Sequence, residues 1–153
     1  MNNAFLRGLP PEGYDRLMAC SHEVSFPAGT RIFAEGDPAD RFWIIRTGAV
    51  TLDLQAHGRR AATVETLRHG DLLGWSWLVR PYEWRLGAEA FSLVRAHEFD
   101  ARTVRGLCDM DPAFGFAVTR HVLKVVARRL QATRVRLLDA YAPHGSGMAQ
   151  FPR

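Results

Sequence analysis

"FPAGTRIFAEGDPADRFWIIRTGAV", Phe26 to Val50, is the stretch from which the fold is read. Gly29, Gly36 and Gly48 punctuate it, and the runs between them, "TRIFA" and "RFWIIR", are rich in β-branched and aromatic residues. Such residues fit a pleated, half-buried surface. The next run, "AVTLDLQ", sets Val50, Leu52 and Leu54 in alternation with Thr51, Asp53 and Gln55. Alternation of that kind predicts a strand with one buried face. "AATVETL" follows as a further strand-like run, and His57-Gly58 and His69-Gly70-Asp71 read as turns. Gly29, Gly36, Gly48, Gly58 and Gly70 are 7, 12, 10 and 12 residues apart. Short strands at that spacing predict an antiparallel sandwich or barrel.

The flanks read as helices. Upstream, Pro10 and Pro11 precede "EGYDRLMAC", with Tyr14, Leu17 and Met18 on one face. Downstream, Asp100 is placed to cap "ARTVRGLC", and Asp111-Pro112 gives an N-cap followed by proline at the first helical position. A long helix then runs to Tyr141. Leu123, Val126, Leu130, Thr133, Leu137 and Tyr141 follow steps of 3, 4, 3, 4 and 4, close to the seam of a coiled coil. The seam predicts a homodimer through this helix; the other reading makes the whole stripe intramolecular core. The expected layout is a β-roll over about residues 22–99, helices over about 100–141, and a flexible tail over 142–153. The fold class is α+β, mainly β.

Composition narrows the function. The chain has 153 residues, 47% hydrophobic and 24% charged, with formal charge +4. That suits one soluble domain with a real core. No apolar run reaches a membrane span, and "MNNAFLRGLPPEGYD" has no signal-peptide core, so a cytoplasmic address is expected. Cys20 and Cys108 stand apart and outside any CxxC pair, which reads as two reduced thiols. His22, His57, His69 and His97 are scattered, without the spacing of a helical metal pair. No nucleophile with an arranged base and no carboxylate pair is visible, so neither enzyme activity, nor a metal, nor a cofactor is expected.

"LLGWSWLVRPYEWRLGAEA", Leu72 to Ala90, holds three of the four tryptophans. Trp75 and Trp77 read as pocket lining, as core, or as a partner surface. Together with Phe26-Pro27-Ala28-Gly29, Ile32-Phe33 and Glu35-Gly36-Asp37, and with "LRHGDLLGWSWL", the pattern resembles the cyclic-nucleotide-binding domain family. The resemblance covers about Phe5 to Tyr141. The family includes bacterial regulators of the catabolite-activator type and subunits of eukaryotic kinases and channels. It implies an antiparallel jelly roll (a β-roll or double-stranded β-helix), with a short helix before it and helices after it, the last one long.

The resemblance also implies a ligand site. In the family, a cassette glycine is followed by a glutamate that accepts from the ribose 2′-OH. An arginine then pairs with the cyclic phosphate at a short helix start, with small residues after it. Here Gly74 matches the cassette glycine and Arg85, 11 residues on, matches the arginine, with Gly87 and Ala88 as small residues beyond. Trp75 stands in the place of the glutamate, and Leu86 in that of a small residue. Indole has no acceptor, and an unpaired buried hydroxyl costs roughly 1–3 kcal/mol. Cyclic AMP or cyclic GMP in the usual pose is therefore disfavoured. The expected ligand set for a small, nucleotide-like anion is Gly74, Trp75, Ser76, Trp77, Arg85, Leu86 and Gly87. Arg85 is either the anion ligand or a surface arginine paired with Glu83 or Glu89. Ser76 either caps the cassette helix or touches a phosphate.

Three functions remain. The first is a stand-alone sensory module that signals through the "VRGLC" to Asp111-Pro112 hinge. The second is a ligand-free dimeric interaction module. The third is a catabolite-activator-type regulator without its helix-turn-helix. About a dozen residues follow Tyr141, too few for two helices and a turn, so sequence-specific DNA reading by this chain is not expected. Arg120, Lys124 and Arg128 form a basic stripe on the long helix, read as a solvated face or as a contact for an acidic protein or nucleic acid.

Overall fold

The computed structural model describes residues 9–55 and 62–149, with the backbone alone for 142–149. The turn expected at His57-Gly58 lies outside the described residues. Two compact units divide the chain, residues up to Val122 and residues from Leu123 onward.

The first unit opens with α1 (Pro11–Ala19), which has proline in its first turn and Leu17 buried. The strands are β1 (Ser21–Phe26), β2 (Arg31–Phe33), β3 (Arg41–Thr47), β4 (Val50–Leu54), β5 (Ala62–Leu67), β6 (Leu72–Leu73), β7 (Gly87–Ala90) and β8 (Val94–Asp100). A 3-10 turn, Ser76–Leu78, sits between β6 and β7. Two four-stranded sheets form, in the orders β1-β8-β3-β6 and β2-β7-β4-β5, and every pairing is antiparallel. The first strand pairs with the last, and β2 with β7, so chain-distant strands lie side by side. This is the β-roll the sequence predicts, flanked by the expected helices.

The strand alternation holds where the sheet is regular. Val50 and Leu52 are buried, as are Ala88 and Ala90 opposite them on β7. Leu54, expected on the buried face, is exposed at the end of its strand. Asp53, on the opposite face, is instead buried, because Arg31 folds over it and donates two hydrogen bonds at 3.0 and 2.8 Å. On β3 the residues from Phe42 to Ile45 are all buried, so both faces of this strand are covered. Gly48 turns the chain from β3 to β4 with φ +91°, and a Cβ there would strike the Leu93 carbonyl. Glycine alone suits both demands.

After β8, α2 (Ala101–Met110) starts at Asp100, whose carboxylate accepts from the Thr103 N–H at 2.9 Å and from the Thr103 hydroxyl at 2.7 Å. Those bonds hold the Asp100 carboxyl below its ordinary range. Asp111 links α2 to α3 (Pro112–Ala149), and its carboxylate accepts from the Phe114 N–H at 3.3 Å. Phe114, Val118 and Val122, four residues apart, are buried in this unit. Arg16 of α1 reaches Asp111 at 2.5 Å and lies over the Phe114 ring. Burial pushes the Cys108 thiol up to about 11, and Cys20 is raised for the same reason; both are free.

In the second unit, Leu123, Leu130 and Leu137 are each more than half exposed, Thr133 is exposed, and Val126 is half-buried. The helix bounds continue to Ala149, beyond the Tyr141 boundary expected from sequence. Extension of a formed helix adds one hydrogen bond per residue without a new nucleation step. The remainder of the expected tail, 150–153, lies outside the described residues.

Candidate functional site: the cassette between β6 and β7

The cassette is anchored by β6, which pairs with Trp43 and Ile44 of β3. Gly74 follows with φ +97°. A Cβ on Gly74 would run into the Trp84 ring. The close approach that requires glycine here is thus made by the chain's own indole. Trp84 is 4% exposed and stacks on Phe33, with ring centroids 4.0 Å apart. Phe33 stacks in turn on Trp43 at 5.8 Å. These rings fill the space beside Gly74 inside the roll.

Trp77 goes the other way. It is fully buried, donates its indole N–H to the Gly74 carbonyl at 3.1 Å, and stacks on Phe42 at 4.0 Å. Phe42 continues the stack onto Phe99 at 4.7 Å. Phe42 and Trp43 are neighbours on β3, so their side chains leave opposite faces of the sheet. The cassette therefore sends one indole to each face of the same strand. Each aromatic pair adds about 0.5–1.5 kcal/mol beyond area burial.

The other expected residues are placed as follows. Trp75 is half-buried and occupies the N-cap position of the 3-10 turn. Ser76 is buried as the first residue of that turn, so the capping reading does not hold: the turn has no side-chain cap. The capping position falls one residue earlier, on Trp75, whose indole has no oxygen to accept a backbone N–H. Arg85 is exposed and has no ion pair among the described residues. The pairing with Glu89 fails because the Glu89 carboxylate accepts from Arg31 at 3.1 Å. Leu86 is half-buried, and Gly87 is buried, with a Cβ there meeting Arg31 and Asp53 at 2.5 Å each. The room at Gly87 is therefore taken by an ion pair across β7.

One carboxylate faces the roll interior beside these rings. Glu98 is buried and accepts from the Trp43 indole N–H at 2.9 Å, with His22 at 3.2 Å and Arg41 at 3.5 Å. Sequence reading missed Trp84, Phe33, Trp43 and Glu98 as shapers of the site. The available signal was the tryptophan next to Arg85, whose direction depends on the course of the loop. Arg105 of α2 donates to the Trp77 carbonyl at 2.6 Å and so ties the cassette to the helix after the roll. The expected basic-stripe residues Arg120, Lys124 and Arg128 are each exposed. Among the described residues no group of three or more His, Cys, Asp or Glu could hold a metal ion. No described helix is long and apolar enough to cross a membrane.

Comparison with known proteins agrees with this architecture. The family described as "Cyclic nucleotide-binding domain" matches residues 23–111. The chain is 29% identical over 133 residues to the "CRP-like cAMP-activated global transcriptional regulator" of Mycobacterium tuberculosis, covering 87% of this chain and 58% of that protein. The chain thus spans little more than half the length of that relative. A candidate cyclic nucleotide-binding protein of Geobacter metallireducens GS-15 superposes with a TM-score of 0.75 at 28% identity, covering 84% of this chain and 92% of that one. The catabolite activator protein of Thermus thermophilus has the same fold, with a TM-score of 0.72 at 24% identity, over 87% of this chain and 61% of that one. With the roll, the cassette and the family match in agreement, the chain belongs to the cyclic nucleotide-binding domain family and is related to the CRP-like regulators.

Proposed function

We propose that this chain is a non-catalytic regulatory module whose roll is closed to cyclic AMP and cyclic GMP in the family's usual pose, and which signals through its C-terminal helices as a homodimer. The observation that carries the reading is the Trp84 ring packed on Phe33 and over Gly74. The replacement of the ribose acceptor by Trp75 supports it from the chemistry of the ligand. Pairing through Leu123, Val126, Leu130, Thr133 and Leu137 is supported by the run of apolar, largely exposed side chains at heptad steps. The path from cassette to helices runs through the Arg105 bond to the Trp77 carbonyl.

Calorimetry with cyclic AMP, cyclic GMP and a cyclic dinucleotide tests the closed roll. No heat of binding is expected from the two mononucleotides, and micromolar binding of either would overturn the proposal. Trp75→Glu restores the ribose acceptor but leaves Trp84 in place, so it is expected to gain no cyclic AMP affinity by itself.

A second reading rests on Arg85, an exposed guanidinium with no ion pair among the described residues. It makes the cassette rim, with the half-buried Leu86 next to Arg85 in sequence, a receiver for a small nucleotide-like anion. Calorimetric binding of the cyclic dinucleotide, lost in Arg85→Ala, would favour this reading.

A further inference from the structure

Outside the roll, a cavity of about 830 Å³ lies between the cassette loop and the α2–α3 corner. Arg80 and Tyr82 line it from the loop, Arg102 and Arg105 from α2, and Phe116 from α3. We propose that this groove is a binding site for a nucleoside diphosphate, separate from the family's pocket in the roll.

Charge is the first argument. Arg80, Arg102 and Arg105 bring three guanidiniums to the groove, and Asp109 is its one lining carboxylate. None of the three arginines forms an ion pair among the described residues. The nearby Asp100 carboxylate, within electrostatic reach of Arg105 and Arg102, is taken up by the Thr103 N–H and hydroxyl. Three positive groups against one negative leave two uncompensated charges, a match for a diphosphate. Guanidinium forks suit phosphate oxygens because they present paired donors in a plane.

Preorganisation is the second. Arg105 is held by two contacts: one nitrogen donates to the Trp77 carbonyl at 2.6 Å, and the guanidinium carbon lies 4.0 Å from the Tyr82 ring centroid. Arg80 lies over the same ring at 5.5 Å. Tyr82, at φ +59°, is the ring that both arginines lie over. A guanidinium already immobilised loses little further freedom on binding.

Shape is the third. The volume falls in the range of small-ligand sites. Phe116 offers a ring that is 66% exposed, a stacking face for a base. Gly106 lies in the floor, where an added Cβ would meet nothing within 4 Å. A ligand here would touch the cassette loop and both helices after the roll at once. It would thereby restrain the hinge without entering the roll.

The test is calorimetric titration of the full chain with ADP, pyrophosphate, adenosine and a Glu-rich peptide. ADP is expected to bind at micromolar concentration, with pyrophosphate and adenosine each weaker by about tenfold or more. Arg80→Ala combined with Arg102→Ala is expected to weaken ADP by about tenfold or more. These side chains are exposed, and circular dichroism checks that the fold is kept. Gly106→Phe fills the groove from an open helix position and is expected to abolish ADP binding. No ADP binding up to about 1 mM overturns the proposal. So does ADP binding unchanged in both variants, or lost in Arg85→Ala but kept in them, which would put the ligand in the roll. Binding of the peptide in place of ADP overturns it in favour of a protein partner. Absence of cyclic AMP binding in the same chain bears on the closed roll alone, so the two proposals fail separately.

Discussion

Trp84 and Gly74 act as one unit at the residue scale. Gly74 holds a left-handed backbone and at the same time gives up the space the Trp84 ring needs. Gly74→Ala would strain the backbone and push the ring off Phe33. The expected loss is about 2–4 kcal/mol, read as a lower urea midpoint with an unchanged slope. Trp84→Ala leaves the roll interior with a cavity, and a loss of about 3–5 kcal/mol is expected in the same measurement. Comparable values for a surface variant such as Arg85→Ala would contradict the packing described for Trp84. His97 on β8 is a further case. Its Nε2 is buried with no hydrogen-bond partner among the described residues, and burial, followed by the charge of Arg46, lowers its pKa. The unfolded chain therefore takes up this proton first. Stability is expected to fall as pH drops below about 6.5 toward the folded value, and His97→Phe should flatten that part of the curve.

The elements after the roll are set by local chemistry. Asp100 caps α2 through Thr103, and those bonds hold its carboxyl below the ordinary range. Its contribution is complete above the ordinary carboxylate pKa and is lost as pH falls through the depressed folded value. Asp100→Ala is expected to cost about 1 kcal/mol at neutral pH and less in acid, measured by denaturation at both pH values. The cassette behaves differently. A three-residue turn with no side-chain cap depends for its shape on the local Trp77 N–H bond to the Gly74 carbonyl and on two tertiary contacts, the Trp77 ring on Phe42 and Arg105 on the Trp77 carbonyl. The α2 cap was legible from Asp100 in sequence. The short cassette helix near Ser76 followed only from the family resemblance, and its form as a 3-10 turn was not legible, because its distant stabilising partners come from β3 and α2.

For the whole molecule, association is the open physical quantity. Leu123, Leu130 and Leu137 hold apolar surface in solvent along the second unit. Apolar side chains repeating at heptad steps favour a partner helix. Leu130→Asp with Leu137→Asp is expected to raise the dimer dissociation constant by about a hundredfold or more, measured by analytical ultracentrifugation. A wild-type chain that sediments as a monomer at high concentration would remove the basis of the homodimer reading.

Short antiparallel strands and their flanking helices were determined by the sequence itself, and the β-roll and the position of the cassette followed from its resemblance to the family. Glycines at "FPAG", "AEGD" and the end of "RFWIIRTG", strand alternation, and the Asp100 and Asp111-Pro112 caps are local signals that act within a few residues. The tertiary structure alone decided which indole fills the roll. Trp75, Trp77 and Trp84 are chemically alike, and period and composition do not distinguish them. Trp77 is drawn to one face of β3 by Phe42, and Trp84 to the other by Phe33 and Trp43. Likewise, Arg80 is distant along the chain from Arg102 and Arg105, which are neighbours on α2, and it joins them in one groove only because the cassette loop folds back onto α2. Contacts between distant segments depend on the closed course of the chain, and no local pattern encodes that course.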